Sequence, residues 1–224
     1  MGITKGLQAL KQQVDRANNS GDGEKTQWVK LAGGESVKIK FLQEIDPDSP
    51  LYDDEKGLLF MATEVSKPGD FRVKCLDSQE DEGKSFGWEM HNKMRGTEGY
   101  KNGWIPKQRL YANVLVDDGV NPPHVRILSQ GMSGKSITPA LLQYADDNGS
   151  ITDLVFRITR TGTAVQDTSY SLTLLPKATM DVPDDIVLYD LETVAVRRVP
   201  YAEQHAFFFP EEEKNENVSV DTDW

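Results

Sequence analysis

The chain has 224 residues, 38% hydrophobic and 27% charged, enough for one sizeable domain with appendages. No apolar run approaches the length needed to cross a bilayer, and the first residues carry no apolar signal segment, so a soluble, unsecreted protein is expected. Cys75 is the only cysteine, which excludes an internal disulfide and any multi-cysteine zinc site, and His91, His124 and His205 have no ligand spacing, so neither metal nor cofactor is expected.

The formal net charge of −11 works against phosphate binding, which needs Lys and Arg, but the charge is segregated. Residues 211–224 hold six acids against Lys214, and residues 46–82 hold eleven acids against four bases. Residues 84–111 reverse the sign, with Lys84, Lys93, Arg95, Lys101, Lys107 and Arg109 against Glu89 and Glu98.

In chain order, Ile3, Leu7, Leu10 and Val14 have helical spacing, and the polar, glycine-containing stretch 18–24 then breaks the pattern. Residues 1–24 therefore read as a helical arm and linker, residues 25–210 as a core and residues 211–224 as an acidic, disordered tail. Within the core, Val37, Ile39 and Phe41 alternate with Lys38 and Lys40, predicting a half-buried strand. Residues 58–65 and 71–76 predict further strands, and residues 109–116 and 124–129 predict an antiparallel pair around the turn-forming 117–123. Thr138, as a cap, with Pro139 at the first helical position predicts a helix, and Pro183-Asp184-Asp185 is a second candidate helix start. Residues 154–161 and 169–175 predict a last hairpin with Phe156 and Ile158 on one face and Arg157 on the other. A mainly β fold follows, a small closed or partly closed barrel with a few short helices.

Residues 77–104 show no strand and read as a long functional loop. Aromatic and basic residues meet there and just beyond: Phe86, Trp88, Tyr100, Trp104 and Tyr111 are interleaved with the six bases, and glycines at 83, 87, 96, 99 and 103 suggest a mobile backbone. Single-stranded DNA asks for this pairing, because cations follow phosphates while flat rings stack on unpaired bases, at about 1–3 kcal/mol per base. The bland reading of the same residues is a set of core aromatics beside a solvated basic face. Arg126 and Arg157, read as lying on adjacent strands, extend the basic track.

No enzyme signature is present. The segment Gly131–Ser136 lacks the first glycine of a phosphate loop, since Ser129 occupies that position, and His91 has no catalytic partner at a known spacing and reads as a surface or loop histidine.

The motifs W-V-K-L from Trp28, G-G-E-S-V-K-I-K-F-L from Gly33, Y-A-N-V-L-V from Tyr111 and F-R-I-T-R-T-G from Phe156 occur in that order around a short helix. In this succession the chain resembles the single-stranded-DNA-binding proteins of tailed phages, loosely from about Trp28 to Thr193. The resemblance implies an OB-fold-like barrel that coats and protects DNA without sequence preference during phage replication, recombination and repair, in the cytoplasm of the infected bacterium. It implies DNA contact by Lys107, Arg109 and Tyr111, then by Lys101 and Trp104, and self-association through the amino-terminal arm. Glu211, Glu212, Glu213, Glu216, Asp221, Asp223 and Trp224 would form a tail that recruits a DNA polymerase or helicase-primase. The chain departs from better-known relatives in lacking their Cys/His zinc site and in its less basic arm. The competing expectation is a protein-binding β-barrel adaptor or virion component without nucleic-acid binding, which the acidic body favours.

Overall fold

The computed structural model describes residues 27–164 and 166–210. The expected arm within 1–24 and the tail at 211–224 lie outside them. The described chain is mainly β, with an antiparallel seven-stranded sheet and a few short helices. The strands are β1 (Ser36–Phe41), β2 (Phe60–Lys67), β3 (Asp70–Leu76), β4 (Lys107–Asp117), β5 (His124–Gly131), β6 (Val155–Thr161) and β7 (Ser169–Leu174). The helices are α1 (Gln79–Glu82), α2 (Phe86–Met94), α3 (Thr138–Asn148), α4 (Leu191–Val194) and α5 (Tyr201–Phe208). The fold divides into two units, the first built from residues up to Phe60 with Tyr111–Tyr189, the second from Met61–Leu110 with the residues from Asp190 on.

In the first unit β1 is hydrogen-bonded on both edges, to β4 and to β6, while β5 pairs β4 and β7 pairs β6. The strand alternation explains this position. Val37, Ile39 and Phe41 are buried on one face together with their cross-strand partners Val116, Val114, Ile158 and Phe156. Phe41 and Phe156 meet edge to face at 5.8 Å, and Tyr144 of α3 closes on Phe156 at 5.3 Å. The other face of β4, β1 and β6 carries a second cluster of Leu42, Leu115, Val155 and Met180, covered by Leu175, Ala178, Val182, Ile186 and Leu188. Residues 175–188 thus lie across the sheet as a strap, and the Lys40 Nζ donates to the Met180 carbonyl (3.3 Å).

The expected barrel does not close. Beyond its pairing with β6, β7 reaches back to the turn after β5 through one backbone bond, Tyr170 N–H to the Lys135 carbonyl (2.8 Å). Lys135 itself donates from Nζ to the Gln166 carbonyl, and Ser136 Oγ to the Ser133 carbonyl, so this turn is spent on itself and its neighbour instead of extending a ladder.

Two helix starts differ from expectation. Helix α3 begins with Thr138 in the first helical position behind Ile137, and Thr138 Oγ1 donates to the Gly131 carbonyl instead of capping. Residues 183–189 are not helical, because Tyr189 is held by its backbone on the buried Asn113: Asn113 Nδ2 donates to the Tyr189 carbonyl and Tyr189 N–H donates to Asn113 Oδ1, both at 3.0 Å. Helix α4 starts only after Asp190, whose carboxylate accepts from Thr193 N–H and Oγ1.

The second unit contains the β2–β3 hairpin, α1, α2, α4 and α5. The expected long loop at 77–104 contains two helices, α1 and α2, with turns between and after them. Ser85 caps α2 by accepting from Trp88 N–H (3.1 Å) and donates its own hydroxyl to Asp77, which encodes a helix start that the surrounding polar residues obscured.

Two outcomes test these polar contacts. Asn113→Leu orphans the Tyr189 backbone groups and one Gln43 bond, and is expected to cost roughly 2–4 kcal/mol in urea denaturation, from about 1–3 kcal/mol per unsatisfied buried group. Glu44 is buried; burial raises its pKa, but bonds from Ser150 Oγ, Thr152 Oγ1 and N–H, and Ile151 N–H outweigh this and hold it below the ordinary 4.5. A carboxylate depressed in the folded state stabilises fully above its unfolded value and loses that contribution as pH falls through the folded one. Glu44→Gln should therefore lower Tm clearly at pH 7, with the difference from wild type narrowing below about pH 4.

Candidate nucleic-acid interface

The expected aromatic set separates into core and surface. Phe86, Trp104 and Tyr111 are buried at 6%, 3% and 0% exposure, so none of the three presents a face to a ligand. Phe86 stacks on Phe208 at 5.3 Å, and Trp104 meets both rings edge-on at 5.7 and 5.2 Å. These rings, with Val65 and Cys75, are the core of the second unit, against which α5 lays its Phe-Phe-Phe end. Tyr111 belongs to the first unit, stacked on Phe60 at 5.5 Å and touched edge-on by Trp28. A ring that saturates its contacts in a core contributes stability; presenting it to a base would mean opening that core.

Tyr100 is half-buried and its hydroxyl lies 3.0 Å from His91 Nδ1, so His91 is a buried packing residue and not a surface histidine. Gly87 serves packing, not mobility. Gly87 is buried in α2, where a Cβ would fall 2.7 Å from the Trp104 carbonyl oxygen and 2.9 Å from Val65. Its lack of a side chain allows the close approach.

Trp88 is the exception. Of the three tryptophans among the described residues it alone is exposed, at 44%, resting edge-on against His91. Asn92 follows one turn later on the same helical face, Lys93 is beside it, and Arg95 caps the helix by donating its N–H to the His91 carbonyl. Lys84, Lys93, Arg95, Lys101 and Lys107 are all exposed in this unit, and Arg109 is partly buried in β4. Lys84 sits over the Tyr201 ring at 5.2 Å, while the Tyr201 hydroxyl donates to Glu89 and its pKa is raised by that bond. Between residues 84 and 107 the second unit thus offers one exposed indole and five exposed cations, and Arg72, Arg197 and Arg198 are exposed elsewhere in it.

The remaining two residues belong to the first unit and are not neighbours. Arg126 is on β5 and Arg157 on β6, and β6 pairs only with β1 and β7. Directly across from Arg157 are Lys38 and Thr173. The sequence marks Lys38 only as the polar half of the Val37–Phe41 alternation. Arg126 lines a cleft of about 450 Å³ together with Trp28, Lys30, Glu35, Asp118 and His124, where acids and bases are mixed.

Set against known protein families, curated proteins and solved structures, the chain matches none. Among the described residues no group of His, Cys, Asp and Glu could hold a metal ion. Burial, with Asp77 and Glu64 close by, pushes the Cys75 thiol up to about 12, so it is protonated and unreactive at neutral pH. The Lys135 ammonium and Ser136 hydroxyl of the phosphate-loop-like turn are both engaged with backbone carbonyls. No described helix is long and apolar enough to cross a membrane.

The division between core and surface rings is measurable by chemical denaturation. Trp104→Ala and Tyr111→Ala should each cost about 3–5 kcal/mol of stability. Trp88→Ala should cost less than about 1 kcal/mol.

Proposed function

We propose that this protein binds single-stranded DNA without sequence preference and protects it during phage DNA replication, recombination and repair. The observation that carries the reading is Trp88, a large exposed ring on α2 in a unit that also exposes Lys84, Lys93, Arg95, Lys101 and Lys107. An exposed indole has a cost in water that a surface helix position does not require, and single-stranded nucleic acid supplies both a partner for the ring and counter-charge for the cations.

The first unit lends support. A five-stranded, open arrangement in which β1 pairs two strands and a helix sits between β5 and β6 supports reading this unit as an OB-type fold. In such barrels the first inter-strand connection helps to bind oligonucleotides. Here that connection, between β1 and β4, contains residues 61–106, and so carries Trp88 with Lys84, Lys93, Arg95 and Lys101. The acidic residues of 211–224 and Trp224 are read as the segment that recruits replication proteins, and residues 1–24 as a self-association arm. The adaptor reading is favoured by Phe71 and Met61, exposed at 63% and 54%, which suit a protein partner better than a phosphate backbone.

Fluorescence anisotropy of a labelled oligo-dT decides between them. Binding should favour single over double strands, and with three or four phosphate contacts log K should fall with log salt at a slope of about −2 to −3. Trp88→Ala should weaken binding by about 1–3 kcal/mol with the fold intact. No binding, equal affinity for duplex, or salt-independent affinity would overturn the proposal and leave the adaptor.

A further inference from the structure

The exposed side of β1, β6 and β7 carries a second concentration of positive charge that the α2 surface does not explain. Cross-strand register sets Asp117, Lys38, Arg157 and Thr173 in one row across β4, β1, β6 and β7, so all four point to the same side of the sheet. The next row on one side sets Lys40, which donates to the Met180 carbonyl, between Leu115 and Val155, which the strap of residues 175–188 covers. The next row on the other side, Ser36, Thr159 and Ser171, bears only hydroxyls. Where the charged row meets the strap, Lys38, Arg157, Leu175, Pro176, Lys177 and Ala178 line an open cavity of about 550 Å³ with three cations and no acid.

Charge accounting narrows the role of each base. Lys38 is committed to Asp117, and that pair holds the Asp117 carboxyl below the usual aspartate range. Arg157 and Lys177 are exposed, and neither has a hydrogen-bond or ion-pair partner among the described residues. Two unneutralised cations facing one cavity repel each other unless an anion lies between them. The flat guanidinium on a rigid central strand suits two oxygens of one phosphate, and the lysine adds a mobile point charge.

We infer that the Arg157–Lys177 cavity is a phosphodiester-binding subsite that holds the backbone of a DNA strand on the first unit. The Thr173 and Ser171 hydroxyls continue it along β7, and the strap edge at Leu175 and Pro176 gives a sugar or base an apolar surface. The inference rests on the DNA-binding reading above and adds to it a second contact region that the α2 surface does not contain.

The test compares the full chain with Arg157→Ala/Lys177→Ala, using Lys56→Ala as a control that also removes a positive charge from the first unit. Both target side chains are exposed and unpartnered, so the double variant should keep its thermal midpoint. Its affinity for labelled oligo-dT should fall several-fold at low salt. Its log K–log salt slope should become shallower by about 1.4, two contacts at about 0.7 each for single strands, while Lys56→Ala leaves the slope unchanged. A folded double variant with the wild-type slope would overturn the subsite while leaving DNA binding in place. An equal change in the control would reduce the effect to net charge and overturn it also. A wild-type protein that fails to bind oligo-dT would remove the DNA-binding reading itself, and the subsite with it.

Discussion

The first unit turns on one buried amide contact. Asn113, fully buried in β4, donates through Nδ2 to Gln43 Oε1 and to the Tyr189 carbonyl, accepts at Oδ1 from Tyr189 N–H, and sends its own backbone N–H to Gln43 Oε1. Gln43 completes the set by donating Nε2 to the carbonyls of Lys56 and Leu58. Every amide group of the two side chains has a partner, which is the condition under which buried polar groups specify structure instead of weakening it. The residues tied together are those flanking the places where the chain leaves the unit after Phe60, returns at Tyr111 and leaves again after Tyr189. Two side chains therefore tie together the chain on either side of a fifty-residue insertion and the end of the strap. Glu44, the next residue after Gln43, performs a similar service on the other side by gathering Ser150, Ile151 and Thr152 beyond α3.

This arrangement leaves β1 free to be the central strand. With both edges paired and both faces covered, by the Phe41–Phe156 core on one side and the strap on the other, it exposes Ser36 and, in part, Lys38 and Lys40. Each lysine has found a partner, Asp117 for one and the Met180 carbonyl for the other. The cations left over on this face of the sheet are on β6 and on the strap, which is why the charge available to a ligand there is Arg157 and Lys177.

The second unit solves a different problem. Its core is aromatic and small, with Phe86, Trp104 and Phe208 in mutual contact, and it draws on α2 and α5, which are far apart in sequence. Arg197 over Phe207 and Lys67 over Phe209 place cations against the rings at its margin. Such a core consumes most of the aromatic residues that a nucleic-acid surface would otherwise use, and leaves Trp88 outside.

Strand periodicity was legible in the sequence because it is a local property. Val37, Ile39 and Phe41 had to share a face whatever else the chain did, and the hairpins 107–131 and 155–174 follow from alternation interrupted by turn residues. The same holds for the concentration of bases between residues 84 and 109. Burial was not legible, since a ring among glycines and lysines reads alike whether it packs inward or outward. Only contact with Phe208, more than a hundred residues away, made Phe86 and Trp104 core, and only Phe60 and Trp28 buried Tyr111. The helix at 86–94 was hidden because its signal is a single capping serine, and Arg157 was set beside Lys38, not Arg126, by a strand pairing that no local pattern encodes. Local sequence determined where strands form and where charge gathers, whereas long-range pairing decided which of those side chains remain in contact with water.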